Sequence, residues 1–257
     1  MSNPLIANIS LLFSDHPMEE RFQKAADVGF SQVEIQFPYE WAAEDLKGWA
    51  DAAGVSVYLI NVPAGELLSG GKSFSCHRER QPSFISACSK AVEYGKVLGV
   101  SRINVLASNL DHDDKPDEVV ATYVENIRYA AEVMLHEGIQ VTFEAINNLD
   151  MPNYLINSFA DMKAVYDAVA HPNAFMQYDI YHMAMMNEPV VEQIEGFSSS
   201  IGHIQFADKP GRGAPNTGEL PLGEIFQRID ACDYSGAVAA EYRVSGNDEM
   251  DYGWLKG

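Results

Sequence analysis

Four apolar runs of this chain each terminate on an oxygen-bearing side chain: IQVTFE at Glu144, FMQYD at Asp179, IGHIQ at Gln205 and GAVAAE at Glu241. If these runs are successive strands of one parallel barrel, their carboxyl ends converge on a single mouth. Three carboxylates and one amide oxygen gathered there suit one hard divalent cation, Mg²⁺ or Mn²⁺. The same arrangement sets Glu144 and Glu241 on opposite sides of whatever that cation binds. Two glutamates flanking a polarised carbonyl are what proton transfer between neighbouring carbons requires, so both are the candidate catalytic groups. Gln205 is the odd member, either ligating through its carbonyl or orienting a water. A lone glutamate at a strand end is ordinarily a solvated or loop-bonding group; the weight lies on four such residues at consecutive strands.

Other polar side chains flank these four. His182 follows Asp179 by three residues, a spacing that brings its ring to the same pocket as a substrate hydrogen-bond donor or as an orienter of ligands. Arg212 lies in KPGRGAPNTGE (209–219), a glycine- and proline-rich segment after the seventh run. On a mobile loop beside a metal site, its fork would clamp a substrate carboxylate bidentately; bonding to its own loop is the alternative. Lys209, Glu34, Asn61 and His203 are weaker candidates, each equally explained by hydrogen bonding within the fold. No GxSxG occurs, and no cysteine ends a strand beside a base, so nucleophilic catalysis lacks support.

Positioning such groups takes a regular frame. Apolar or β-branched runs occur near 5–12, 32–37, 55–60, 101–107, 139–145, 174–179, 201–206 and 236–242. Each precedes a stretch with helical periodicity, clear at 18–29, 43–54, 84–99 and 119–138. Gly29, Gly54, Gly99 and Gly138 stand where C-terminal caps belong, and Pro17 and Pro221 where helices begin. Eight strands alternating with helices predict an α/β protein, a single (β/α)8 TIM barrel forming one domain over 1–257. No GxGxxG follows the first strand and no P-loop is present, so nucleotide readings lack their markers. The final segment, DEMDYGWLKG (248–257), is expected to form a short helix.

The composition narrows function further. A net charge of −20, from 37 acidic against 17 basic residues, argues against nucleic acid and against anionic membrane surfaces. An anionic small molecule stays compatible, because a local metal and one arginine outweigh diffuse surface charge. The three cysteines form no CxxC pair, as expected of free thiols in a reducing compartment. The start MSNPLIANISLLF lacks the features of a signal peptide, and no apolar stretch approaches the ~18 residues of a membrane span. The expected location is the cytoplasm. A homo-oligomer stays open.

At these residues the chain resembles the hydroxypyruvate isomerase family, within the xylose-isomerase-like barrel superfamily. The resemblance runs nearly end to end, through NISLLF (8–13), GFSQVEIQFPYE (29–40), NVPAGE (61–66), ENIRYAAE (125–132), EAINNLDMPNY (144–154), QYDIYHM (177–183), GHIQFADKPGRGAPNTGE (202–219) and EYR (241–243). The segment around Gln205 separates it from ketose 3-epimerases, which place histidine there. The resemblance implies metal ligation by Glu144, Asp179, Gln205 and Glu241, with Glu144 and Glu241 as the acid/base pair. The implied reaction interconverts hydroxypyruvate and tartronate semialdehyde (2-hydroxy-3-oxopropanoate) by proton transfer through a cis-enediolate. The segment 73–84 departs from a family loop with a GRE pattern and retains only Arg80. Two alternatives stand: an isomerase of a related small 2-oxo acid or ketose, of the 2-oxo-tetronate type, and a non-catalytic barrel. A barrel-fold abasic-site endonuclease is excluded by the charge and by the lack of a multi-histidine zinc cluster.

Overall fold

The computed structural model describes residues 2–256, the side chains at 248, 249 and 256 excepted. In chain order the elements are β1 (Leu5–Asn8), α1 (Met18–Asp27), β2 (Gln32–Ile35), α2 (Ala43–Ala53), β3 (Ser56–Asn61), α3 (Gln81–Leu98), β4 (Arg102–Asn104) and α4 (Pro116–Leu135). There follow β5 (Gln140–Glu144), α5 (Phe159–Val169), β6 (Ala174–Asp179), α6 (Ile180–Met185), α7 (Val190–Phe197), β7 (Ile201–Phe206), α8 (Leu222–Ala231), β8 (Val238–Ala240) and α9 (Asp248–Tyr252). All strand pairs are parallel, and β1 pairs with both β2 and β8, so the sheet closes. The chain is a closed (β/α)8 barrel, as the alternation predicts. No helix among the described residues is long and apolar enough to cross a membrane.

The helices pack through one face each. In α1 the buried residues are Met18, Phe22 and Ala25, spaced four and three apart, which is the period of a single helical stripe. Phe22 is fully buried, and its truncation to alanine would cost about 3–5 kcal/mol. Gly54 and Gly99 close α2 and α3 in the left-handed conformation that an L side chain resists. The caps of α1 and α4 are instead Val28 and His136, with Gly29 and Gly138 turning the chain just beyond them. Pro17 and Pro221 immediately precede α1 and α8.

Strand alternation divides the barrel. Val33, Ile35, Ile103, Val141, Phe143 and Phe206 join the main core with the helices, while Ile6, Tyr58, Leu59, Ala237 and Ala239 form a separate small cluster. Residues beyond that cluster, toward the carboxyl ends, are polar: Asn8, Glu34, Asn104, Thr142, Gln177, His203 and Gln205 are all buried. Several strands are shorter than the sequence suggests, β1 and β8 among them. The run 5–12 ends as a strand at Asn8, whose side chain accepts from Ser10 N at 3.0 Å and starts a turn. The run 236–242 yields only Val238–Ala240, leaving Glu241 one residue past β8. The expected terminal helix is α9 followed by a 3₁₀ turn at Gly253–Lys256, with residue 257 outside the described residues.

Candidate active site

The four groups converge at the carboxyl ends of β5 to β8, where only Asp179 and Gln205 are directly opposed and Glu144 and Glu241 are each offset from their neighbour by two residues. Glu144 and Asp179 are the last residues of β5 and β6, and Gln205 is the penultimate residue of β7. Glu144 pairs across to Gln177, and Asp179 to Gln205. All four are buried.

Each carboxylate is held by a neighbour. Glu144 Oε1 accepts from Asn104 Nδ2 at 2.8 Å, and Glu241 Oε1 from Gln36 Nε2 at 2.5 Å. Asp179 Oδ1 caps α6, accepting from Tyr181 N at 2.8 Å and His182 N at 3.2 Å. Its other oxygen, Oδ2, is buried and accepts no hydrogen bond among the described residues. That oxygen lies 3.5 Å from His182 Nε2 and 3.6 Å from Arg212 Nη2. Arg212 Nη2 also reaches Glu241 Oε2 at 3.1 Å, and its guanidinium lies 5.5 Å from the centre of the Tyr181 ring. The structure therefore brings Asp179, Glu241, His182 and Arg212 together, and one ligand atom each of Glu144, Asp179 and His182 falls within 4.8 Å of the others.

The charges are poised for a cation. Burial, then the Asp179 charge, push the Glu144 carboxyl up to about 8. Burial likewise raises Glu241 well above the usual carboxylate range, against the pull of Arg212. Burial works against the Arg212 charge too, but Glu241, Asp179 and Glu144 outweigh it and raise its pKa further. Burial pushes the His182 imidazole down to about 4, so the ring is neutral at neutral pH. Three carboxyl groups face one arginine, and an acceptor oxygen of Asp179 has no donor. Such a site fits a hard divalent ion, which needs oxygen ligands and would relieve the repulsion that burial strengthens.

Gln205 takes part through a belt of side chains inside the barrel. Its Nε2 donates to Glu34 Oε1 at 2.7 Å, and its Oε1 accepts from Gln177 Nε2 at 2.7 Å. Glu34 also accepts from Asn8 Nδ2 at 2.8 Å and lies 2.6 Å from His203 Nε2. Because β2 and β7 are not neighbours in the barrel, the bonds from Glu34 to His203 and Gln205 cross the lumen. Glu34, fully buried, is thus a satisfied interior group, whereas His203, equally buried, is bonded through Nε2 and has no partner at Nδ1 among the described residues. Thr142 Oγ1, 3.1 Å from Gln177 Oε1 and 3.3 Å from Asn104 Oδ1, continues the belt to the group that holds Glu144. Register shifts at Val33/Glu34 and at Met176/Gln177 lie beside two members of this belt, where a bulge re-aims a side chain.

The Arg212 segment is built more firmly than its composition suggests. The Asp208 carboxylate accepts from Lys209 N, Gly218 N and Leu220 N at 2.8, 2.9 and 2.9 Å. Asp208 and Gly213 exchange both backbone hydrogen bonds. A Cβ on Gly218 would overlap the Lys209 carbonyl, so glycine is required for this closure. Arg212 sits at φ 57° in the resulting turn. Lys209 Nζ is spent on Ala184 O at 2.9 Å, and Arg80 holds Lys72 O and Glu66 rather than reaching the mouth. Asn61 is buried at the end of β3. Burial pushes the Cys76 and Cys88 thiols up to about 12, which leaves them inert.

Sequence reading passed over the amides that orient the carboxylates: Gln36, Asn104, Gln177 and Asn147. A signal existed for Gln36, two residues after Glu34 and therefore on the same side of its strand.

The family model for the xylose isomerase-like TIM barrel matches residues 22–256. Hydroxypyruvate isomerase from Escherichia coli (strain K12) is 34% identical over 249 residues, covering 97% of this chain and 96% of that protein. A 2-oxo-tetronate isomerase from Cupriavidus necator is 35% identical over 250 residues, covering 97% and 96%. A solved structure described as AP endonuclease, family 2, from Brucella melitensis superposes with a TM-score of 0.94 at 28% identity, covering 99% of this chain and 98% of that one.

Proposed function

The chain belongs to the xylose isomerase-like TIM barrel family, and from that premise we propose that it interconverts hydroxypyruvate and 2-hydroxy-3-oxopropanoate. It is an isomerase, and the names of its relatives support small 2-oxo acids as the substrate class. The observation that carries the reading is Arg212 inside the carboxylate cluster, 3.1 Å from Glu241 and 3.6 Å from Asp179. The Arg212 Nε is buried and has no hydrogen-bond partner among the described residues, a donor left for the carboxylate of a 2-oxo acid.

One divalent cation, Mg²⁺ or Mn²⁺, would be held by Glu144, Asp179, Gln205 and Glu241, and would supply Lewis-acid polarisation of the substrate oxygens. The remaining work falls to the chain. Arg212 binds and orients the substrate carboxylate. His182 hydrogen-bonds a substrate oxygen beside it. One of Glu144 and Glu241 takes a proton from the hydroxymethyl carbon, leaving an enediolate. The other delivers a proton to the former carbonyl carbon, and the hydroxyl proton moves between the two oxygens. Burial raises the basicity of both carboxylates above that of an ordinary side-chain carboxylate, which proton removal from carbon requires.

A second reading, isomerisation of 2-oxo-tetronate, is favoured by the relative of that name at 35% identity. Turnover by the Mn²⁺-loaded protein of hydroxypyruvate, 2-oxo-tetronate and neutral ketoses separates the readings. The highest kcat/KM is expected on hydroxypyruvate. A preference for 2-oxo-tetronate would install the second reading, and a preference for neutral ketoses would sink both.

A further inference from the structure

Asn147 lies in the turn after β5, three residues beyond Glu144, and is fully buried. One end of its amide accepts backbone N–H groups, from Leu149 at 3.1 Å and from Asp150 at 2.8 Å. Only the carbonyl oxygen can accept, so that end is Oδ1 and the other end is the NH₂. The NH₂ sits 2.7 Å from His182 Nδ1 and 3.2 Å from Asp150 Oδ2. Its two hydrogens thus have two acceptors. Facing a donor, His182 Nδ1 must present its lone pair, and a neutral imidazole bare at Nδ1 carries its proton on Nε2. Nε2 is the atom that lies 3.5 Å from Asp179 Oδ2, at the mouth of the barrel.

We infer that Asn147 is a positioning residue that locks His182 in the Nε2–H tautomer, so that His182 faces the site as a hydrogen-bond donor and is kept out of the metal's ligand set. Ligation through Nε2 would need the lone pair there and the proton on Nδ1, where it would collide with the Asn147 NH₂. Of the three groups whose ligand atoms gather within 4.8 Å, Glu144 and Asp179 are therefore the ligating pair, and His182 is the donor. The tautomer follows from the hydrogen bonds alone. Only the donor's target, a substrate oxygen, rests on the isomerase reading.

Long-range ¹H–¹⁵N spectra of the full chain test this, metal-free and with Mg²⁺ added, the His182 signals being assigned by their loss in His182→Gln. Nδ1 is expected to resonate as a bare nitrogen and Nε2 as a protonated one, in both states. A protonated Nδ1, or an Nε2 that moves to a metal-bound position with Mg²⁺, overturns the inference. Asn147→Asp swaps the donor for an acceptor of the same shape and should move the proton to Nδ1; an unchanged tautomer would overturn the role of Asn147. Because that carboxylate adjoins Asp150, Asn147→Ser serves as a second variant, its hydroxyl still able to accept from Leu149 and Asp150. It should yield mixed tautomers and lower kcat/KM on hydroxypyruvate on the order of 10-fold, with Mg²⁺ affinity near the parent value. Altered tautomers with unchanged kcat/KM would overturn the donor role. A parent protein that turns over no 2-oxo acid would instead overturn the isomerase reading and leave the tautomer assignment in place.

Discussion

Gln205 Nε2 donates to Glu34 Oε1 at 2.7 Å across the barrel lumen, and this bond sets which end of the Gln205 amide faces the mouth. A carboxylate can only accept, so it draws the NH₂ end toward itself. The carbonyl is left pointing away, bonded to Gln177 at 2.7 Å with a second lone pair to spare. An amide needs such an orienting group, because its two ends are nearly the same shape.

Removing Glu34 is therefore predicted to act twice. Glu34→Ala strands His203, Asn8 and Gln205 in a buried layer, which should cost on the order of 3–5 kcal/mol of stability. It should also weaken divalent-ion affinity roughly 10- to 100-fold, the usual effect of losing a partner that orients a ligand. Urea unfolding and Mn²⁺ calorimetry check the two effects. A variant with parental stability and parental affinity would show that the lumen network is idle.

Cation binding should release a proton. In the empty site Glu144 is pushed up to about 8, so below that pH it holds a proton that a ligating carboxylate must lose. Affinity is thus expected to rise with pH through about 8, by ~10-fold per pH unit for the Glu144 proton, with the raised Glu241 carboxyl adding to the release. Calorimetry at pH 6 to 9, in buffers of different ionisation enthalpy, counts the proton directly. A flat profile with no buffer dependence would remove Glu144 from the ligand set.

Arg212→Ala should raise KM for hydroxypyruvate by roughly 10- to 100-fold, the worth of a charge-assisted hydrogen bond, while affecting a neutral ketose far less. The Asp208 bonds hold the turn independently of the arginine side chain, so the variant is expected to keep its fold. Equal losses on both substrates would make Arg212 a structural counter-charge for Glu241 and Asp179.

The barrel and the carboxylates of its mouth were legible in the sequence for one reason. A strand covered by helices reads as an apolar run, and a charged residue ending such a run stands out. The strand ends were less legible, because side-chain bonds such as Asn8 to Ser10 N terminate them. The amides were hidden altogether. Asn104 or Gln177 has no chemistry of its own, and its role depends on which residue the register puts beside it: Thr142 for Asn104, Glu144 for Gln177. Glu34 and His203 were visible, but their pairing spans strands that are 169 residues apart in sequence. Such contacts are a property of closure, which spacing along the chain does not encode.

The last prediction concerns the proton itself. If Glu144 and Glu241 exchange protons with neighbouring carbons, turnover in D₂O should place solvent deuterium on the product carbon, unless one shielded carboxylate returns its own proton. Replacing either by glutamine keeps the shape and the hydrogen-bond reach to Asn104 or Gln36 while removing the base. Each of Glu144→Gln and Glu241→Gln should then lose on the order of 10²–10⁴ in kcat. Both residues are also proposed ligands, so the rates must be measured at saturating Mn²⁺, with occupancy confirmed by calorimetry. The two losses need not be equal. If both variants turn over at near the parent rate with metal bound, the two-glutamate proton transfer is wrong.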